Sequence, residues 1–109
     1  MLATILIVSP DEIARNTKAD EIALQVLKTI KLENNPDYFI CEDPLSLKIS
    51  TIRRLQQELS LKPYQNERKV LFIKNAQNLT LPAQHALLKS LEEPPVSTVI
   101  ILTADKKES

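Results

Sequence analysis

The chain has 109 residues, balanced charge at neutral pH, 43% hydrophobic and 26% charged residues. That is enough for one domain with a modest core, and it excludes wholesale disorder. The chain has no glycine, where average usage would give about seven, so a Gly-rich phosphate loop, a Rossmann fingerprint and a strained nucleophile elbow are all excluded.

Thr4 to Val8 is a continuous apolar run ending at Ser9-Pro10, which reads as a strand buried on both faces. A helix over 19–30 follows, with Ile22, Ala23, Val26, Leu27 and Ile30 as its apolar face. Its start is open. Ser9-Pro10-Asp11-Glu12 reads as a capping box with Pro at the first helical position. Arg15 to Lys18 interrupt the apolar stripe, so 10–18 is expected to be a loop or irregular turn. Tyr38 to Cys41 is a second strand, bounded by Pro36 and Pro44. Ile52, Leu55 and Leu59 mark a helix over 50–61 with Ser50 as its N-cap. Lys69 to Ile73 is a third strand, ending at Lys74 and Asn75. Thr80 caps a third helix with Pro82 in its first turn and Ala83, Leu87, Leu88 and Leu91 on its inner face. Pro94-Pro95 stops it, and Thr98 to Thr103 is a fourth strand. The alternation of strand and helix predicts a parallel α/β sheet in three layers, with helices on both faces.

Cys41 and His85 are each single in the chain, which leaves no internal disulfide, no Cys-based zinc site and no metal cluster. Cys41 reads as a small buried hydrophobe and His85 as a polar helix residue. The balanced charge does not point to nucleic acid as a whole, though a local basic patch stays open. The run from Ile5 to Val8 is too short to span a membrane and lacks the flanks of a signal peptide, so the cytoplasm is the expected location.

Beyond the α/β pattern, several blocks occur in order: Asn35-Pro36-Asp37-Tyr38, Leu47 to Leu55, Lys62-Pro63-Tyr64, Lys69 to Ile73, Ala83 to Pro95, and Thr98 to Leu102. The string from Ala86 to Pro95, Ala-Leu-Leu-Lys-Ser-Leu-Glu-Glu-Pro-Pro, is the most specific. Together they closely resemble the first domain of bacterial DNA polymerase III clamp-loader subunits, the delta-prime type above all and the gamma/tau type also. The resemblance implies an AAA+ core of the P-loop NTPase class over residues 1–109, cut to four strands in the order 1-4-3-2. It also implies other clamp-loader subunits as partners, and primed DNA met indirectly.

In active relatives a Gly-Pro-x-Gly-x-Gly-Lys-Thr loop holds ATP phosphates, and acidic residues after the third strand hold Mg²⁺. Laid on this chain, the loop becomes Ser9, Pro10, Asp11, Glu12, Ile13, Ala14, Arg15 and Asn16. All three glycines are gone, and Arg15 keeps a charge where the lysine stood. Lys74 and Asn75 stand where the acidic pair would be. No bound nucleotide, metal or other cofactor and no catalysis are therefore expected, as in the non-hydrolysing delta-prime members. The bare linker from Lys31 to Pro36 favours that type over gamma/tau, which carries a four-Cys zinc module there. The resemblance covers only the first part of a family member, and the family's lid and collar domains are expected to be absent from residues 1–109.

Arg53 and Arg54 read either as contacts to DNA phosphates or as a solvated helix face. Glu92 and Glu93, before Pro94-Pro95, read either as a subunit contact or as a plain helix end. Lys74 reads as a surface charge or as a neutraliser of an otherwise acidic cleft, not as a Schiff-base lysine. The leading function is a structural, non-hydrolysing subunit in sliding-clamp loading. The alternative is a stand-alone interaction module on the same scaffold. With no fifth strand in the sequence, Thr4 to Val8 would form an open apolar edge, through which two copies could pair unless the polar tail from Lys106 to Ser109 covers it.

Overall fold

Four short apolar runs become four parallel strands in the computed structural model, which describes residues 4–95 and 97–105. The elements run β1 (Thr4–Val8), α1 (Glu12–Leu27), β2 (Tyr38–Cys41), α2 (Ile49–Leu59), β3 (Lys69–Ile73), α3 (Leu81–Glu92) and β4 (Thr98–Ala104). Short 3-10 turns at Pro44–Ser46 and Ala76–Asn78 complete them. The sheet order is β1-β4-β3-β2. Register pairs Thr4 with Ile100, Val70 with Val99, and Tyr38 with Val70. Parallel neighbours need long crossovers, and the three helices supply them.

The two faces of the sheet bury different sets of side chains, as period-2 alternation requires. Val70, Phe72, Val99 and Ile101 face α1, which meets them with Ala19, Ala23 and Leu27. The small alanines let α1 lie close against the strands. Leu71, Ile73 and Ile100 face the other way, onto Ile52 and Leu59 of α2 and Ala83 and Leu87 of α3.

Several expectations need correction. Helix α1 starts at Glu12, not at 19, so the 10–18 loop reading is wrong. Its buried stripe is Arg15, Ala19, Ala23 and Leu27, an unbroken i, i+4 series headed by a charged residue. It ends at Leu27, and Ile30, expected on the inner face, is 99% exposed. Lys28 closes the helix in the left-handed region, a role glycine usually fills. Asn34, Asn75 and Ser97 also take positive φ, the substitutes a glycine-free chain must use. In α2 the N-cap position is Lys48 without a side-chain bond, not Ser50, and the helix runs 49–59. In α3, Thr80 caps as expected by accepting from the Ala83 N–H at 3.3 Å, but Leu88 is 51% exposed and Leu91 only partly buried. β1 is not buried on both faces: Leu6 is 55% exposed and Val8 is also exposed. Cys41 is half-buried rather than buried.

Two buried charged residues secure the N-terminal end of β3. The Lys69 ammonium donates to the carbonyl oxygens of Glu58, Leu59 and Leu61, which closes the C-terminus of α2. The Asp37 carboxylate accepts the backbone N–H groups of Tyr64 at 2.6 Å, Gln65 at 2.8 Å and Asn66 at 2.6 Å. That fixes the connection between α2 and β3 without any secondary structure of its own.

Candidate functional site

The C-terminal ends of β1, β3 and β4 converge beside the N-terminus of α1. In open parallel sheets this is where ligands bind. Four N–H groups at a helix start lack partners within the helix, and the macrodipole there favours an anion. Here the chain supplies the anion itself. The Asp11 carboxylate accepts the N–H of Ile13 at 3.0 Å and of Ala14 at 3.3 Å. The Asp11 N–H in turn donates to Ser9 Oγ at 3.1 Å, and the Ser9 N–H to the Ala104 carbonyl at 3.1 Å. The turn from β1 into α1 is therefore tied to β4 and capped by its own carboxylate.

Arg15 sits one turn further on and is 5% exposed. Its guanidinium donates to the Ser9 carbonyl at 3.1 Å and to Asn75 Oδ1 at 2.8 Å. Asn75 follows β3 in the left-handed region, and its N–H donates to Thr103 Oγ1 of β4 at 3.1 Å. One run of hydrogen bonds thus joins the ends of β1, β3 and β4 through Arg15 and Asn75. Glu12 touches it from the rim, with its carboxylate 3.9 Å from the guanidinium. Arg15 Nε is buried and has no partner.

The structure brings Ser9, Glu12, Arg15 and Asn75 together and leaves the other sequence candidates aside. Lys74 turns to β2, where its ammonium meets Glu42 at 3.0 Å and lies 5.7 Å from the Phe72 ring centre. Pro10 and Ala14 are exposed, and Asn16 is half-buried. Arg53 and Arg54 are exposed on α2, and Glu92 and Glu93 are exposed at the end of α3. Thr103 belongs to the site although the sequence analysis does not name it, and Asp11, named there only as part of the capping box and the replaced loop, is the N-cap of α1. The signal for Asp11 was its place directly before Glu12, as the N-cap of a helix expected to start later. For Thr103 the signal was a hydroxyl at the end of an otherwise apolar strand.

ATP and Mg²⁺, which the fold class implies, meet a poor donor set here. The first amides of α1 are taken by a carboxylate, which repels phosphate. The buried cation of this site, Arg15, is already bonded to two oxygens. After β3 stand an ammonium and an amide in place of carboxylates, and no group of acidic, His or Cys residues among the described residues is arranged to hold a metal.

The family model for "DNA polymerase III, delta subunit" matches residues 3–109. The chain is 34% identical over 82 residues to DNA polymerase III subunit delta' of Bacillus subtilis, covering 74% of this chain and 25% of the relative. It is 32% identical over 83 residues to the same subunit of Haemophilus influenzae, covering 73% and 25%. It therefore spans about a quarter of the length of these relatives. Among solved structures it is similar to a DNA polymerase III gamma-subunit-related protein from Thermotoga maritima, with a TM-score of 0.72 and 25% identity, over 95% of this chain and 35% of that one.

Proposed function

The chain belongs to the DNA polymerase III delta subunit family, and from that premise we propose that it is the nucleotide-free core of a delta-prime-type subunit. Its role is structural: it positions neighbouring subunits in the loading of a sliding clamp and does not hydrolyse ATP. The observation that carries this reading is the Arg15 guanidinium, buried between the Ser9 carbonyl and Asn75 while Asp11 caps the helix that a phosphate would need. The Ile13 and Ala14 amides and both terminal nitrogens of Arg15 have partners from within the chain. The relatives named delta' support the family role, and other clamp-loader subunits are the partners it implies.

Titration calorimetry with Mg-ATP at millimolar concentration tests the claim. No saturable heat is expected. Binding tighter than about 100 µM that Arg15→Ala abolishes would overturn it. Capture of the other clamp-loader subunits by the full-length protein tests the partner role, and failure to bind any of them would favour the stand-alone interaction module. Arg53 and Arg54, exposed on α2, are the residues through which this reading would reach DNA phosphates. Glu92 and Glu93, exposed where α3 ends, are those through which it would reach a neighbouring subunit. The cytoplasm is the compartment that goes with this role. No described helix is long and apolar enough to cross a membrane.

The exposed Leu6 and Val8 on β1 favour a second partner reading, a second copy paired along that edge. Sedimentation of the wild type against Ile7→Lys tests it, and a wild type that stays monomeric at high concentration would sink it.

A further inference from the structure

β2 closes the sheet opposite β1, and no described strand pairs with its outer side. The Val70 N–H donates to the Asp37 carbonyl at 2.9 Å and the Lys74 N–H to the Cys41 carbonyl at 3.0 Å. In a parallel ladder this turns the backbone of residues 37, 39 and 41 towards β3, and that of Tyr38 and Ile40 away from it. The Tyr38 N–H is taken by the Asn35 carbonyl at 3.2 Å. The Tyr38 carbonyl and both backbone groups of Ile40 remain on the outer edge, with no loop or side-chain partner among the described residues. The Ile40 side chain is itself exposed.

A cleft lies on each side of this edge. On the α1 face one of about 710 Å³ is walled by Leu24, Ile30, Leu32, Tyr38 and Ile40. On the α2 face another of about 540 Å³ is walled by Phe39, Cys41, Leu47 and Leu55. Side chains of an added strand point alternately to the two faces of a sheet, so they would enter the two clefts in turn. Ile30 stands at the first cleft with almost all of its surface in water. The clefts carry four carboxylates, Asp20, Glu33, Glu42 and Asp43, against two ammonium groups, Lys31 and Lys74. Lys74 and Glu42 pair with each other, which leaves Asp20, Glu33 and Asp43 against Lys31.

We propose that the outer edge of β2 is a docking site for an extended basic segment of another protein, which adds to the sheet as a strand with apolar side chains at alternate positions. Main-chain bonds to Tyr38 and Ile40 supply the pairing, the two clefts take the alternate side chains, and the acidic rim selects Lys or Arg flanks. A second copy of this chain fits less well. Two β2 edges side by side would bring rims of like charge together, along strands of only four residues. This inference stands on the edge geometry and does not depend on the clamp-loading role.

The test is an NMR titration of the ¹⁵N-labelled chain with the blocked peptide Lys-Val-Thr-Val-Thr-Val-Lys. Saturable shifts are expected at Tyr38 to Glu42 and around both clefts, with a Kd below about 1 mM. A peptide methylated on its backbone nitrogens, and one flanked by Glu instead of Lys, should each bind at least about tenfold more weakly. Ile40→Pro removes the outward N–H while sparing the ladder to β3, and should keep the amide spectrum of the fold while weakening the peptide at least about tenfold. Ile40→Lys, which sets a like charge against the peptide, serves if the proline variant unfolds. The proposal is overturned by an absence of shifts, by equal binding of either control peptide, or by shifts at Thr4 to Val8 in place of β2. Concentration-dependent shifts of β2 without peptide would also overturn it and assign the edge to a second copy.

Discussion

At its N-terminal end β3 begins with Lys69, whose ammonium donates to three backbone carbonyls, beside Asp37, whose carboxylate accepts three backbone N–H groups. At its C-terminal end β3 runs into Asn75, which is held by Arg15. The first end has two buried charges of opposite sign, both fully engaged with main chain. The second has one buried cation with two firm acceptors, a carboxylate at the rim, and an Nε left without a partner. Burying a charge is tolerable only when its bonds are complete. The first end is built for stability. The second keeps a charge where the fold class places ligand chemistry, and satisfies it incompletely.

The largest effect expected from this contrast is at the first end. Asp37→Ala strands three N–H groups and removes the charge nearest in role to Lys69, and should cost about 3–5 kcal/mol in urea denaturation. Against a total of about 5–15 kcal/mol, that brings the domain near unfolding. Leu87→Ala, in the core between α3 and the sheet, supplies the apolar yardstick at about 2–5 kcal/mol. The exposed Leu88→Ala should stay within about 0.5 kcal/mol. Arg15→Ala should cost less, about 1–3 kcal/mol, because its loss leaves few acceptors unpaired. If Arg15→Ala proved as damaging as Asp37→Ala, the two ends would be equally structural and the contrast would fail.

The smallest effect is the response to pH. Burial lowers the Lys69 pKa from the usual 10.5, opposed by the charges of Asp37 and Glu58. The unfolded chain then binds more protons just below that value, so stability should rise with pH through that window. Burial, with Asp20 and Glu42 behind it, raises Tyr38 to about 12 from the usual 10.0. There the folded chain holds the extra proton, so stability should fall between about pH 10 and 12. Denaturation midpoints across pH 8 to 12 would show it: Lys69→Met should remove the rise and Tyr38→Phe should reduce the fall. A rise that persists in Lys69→Met would show that its burial leaves its proton unperturbed.

The helix-strand alternation is legible because the strands are short apolar runs punctuated by proline, whereas the strand order follows only from the family resemblance. Helix α1 was half hidden because its buried stripe uses two alanines and an arginine. A hydrophobic period cannot register Arg15 as an inner residue, although its spacing from Ala19 is that of the stripe. Lys69 was hidden for the same reason inside a strand. Its burial follows from the carbonyls at the end of α2, which only the fold brings near. The site was legible as a set of replaced positions. That Asp11 and Arg15 fill those positions from within depended on where α1 begins, which the sequence reading placed a full seven residues late.

The pairing of β1 also sets an order of events during synthesis. β1 has β4 as its partner in the sheet, with Thr4 opposite Ile100. As the chain leaves the ribosome, its first strand must wait for its last, while β2 and β3 can pair long before. Contacts this distant in sequence close slowly. For that interval Ile5, Leu6 and Ile7 travel as an unpaired apolar run, the kind of segment that chaperones shield and that aggregates when they are scarce.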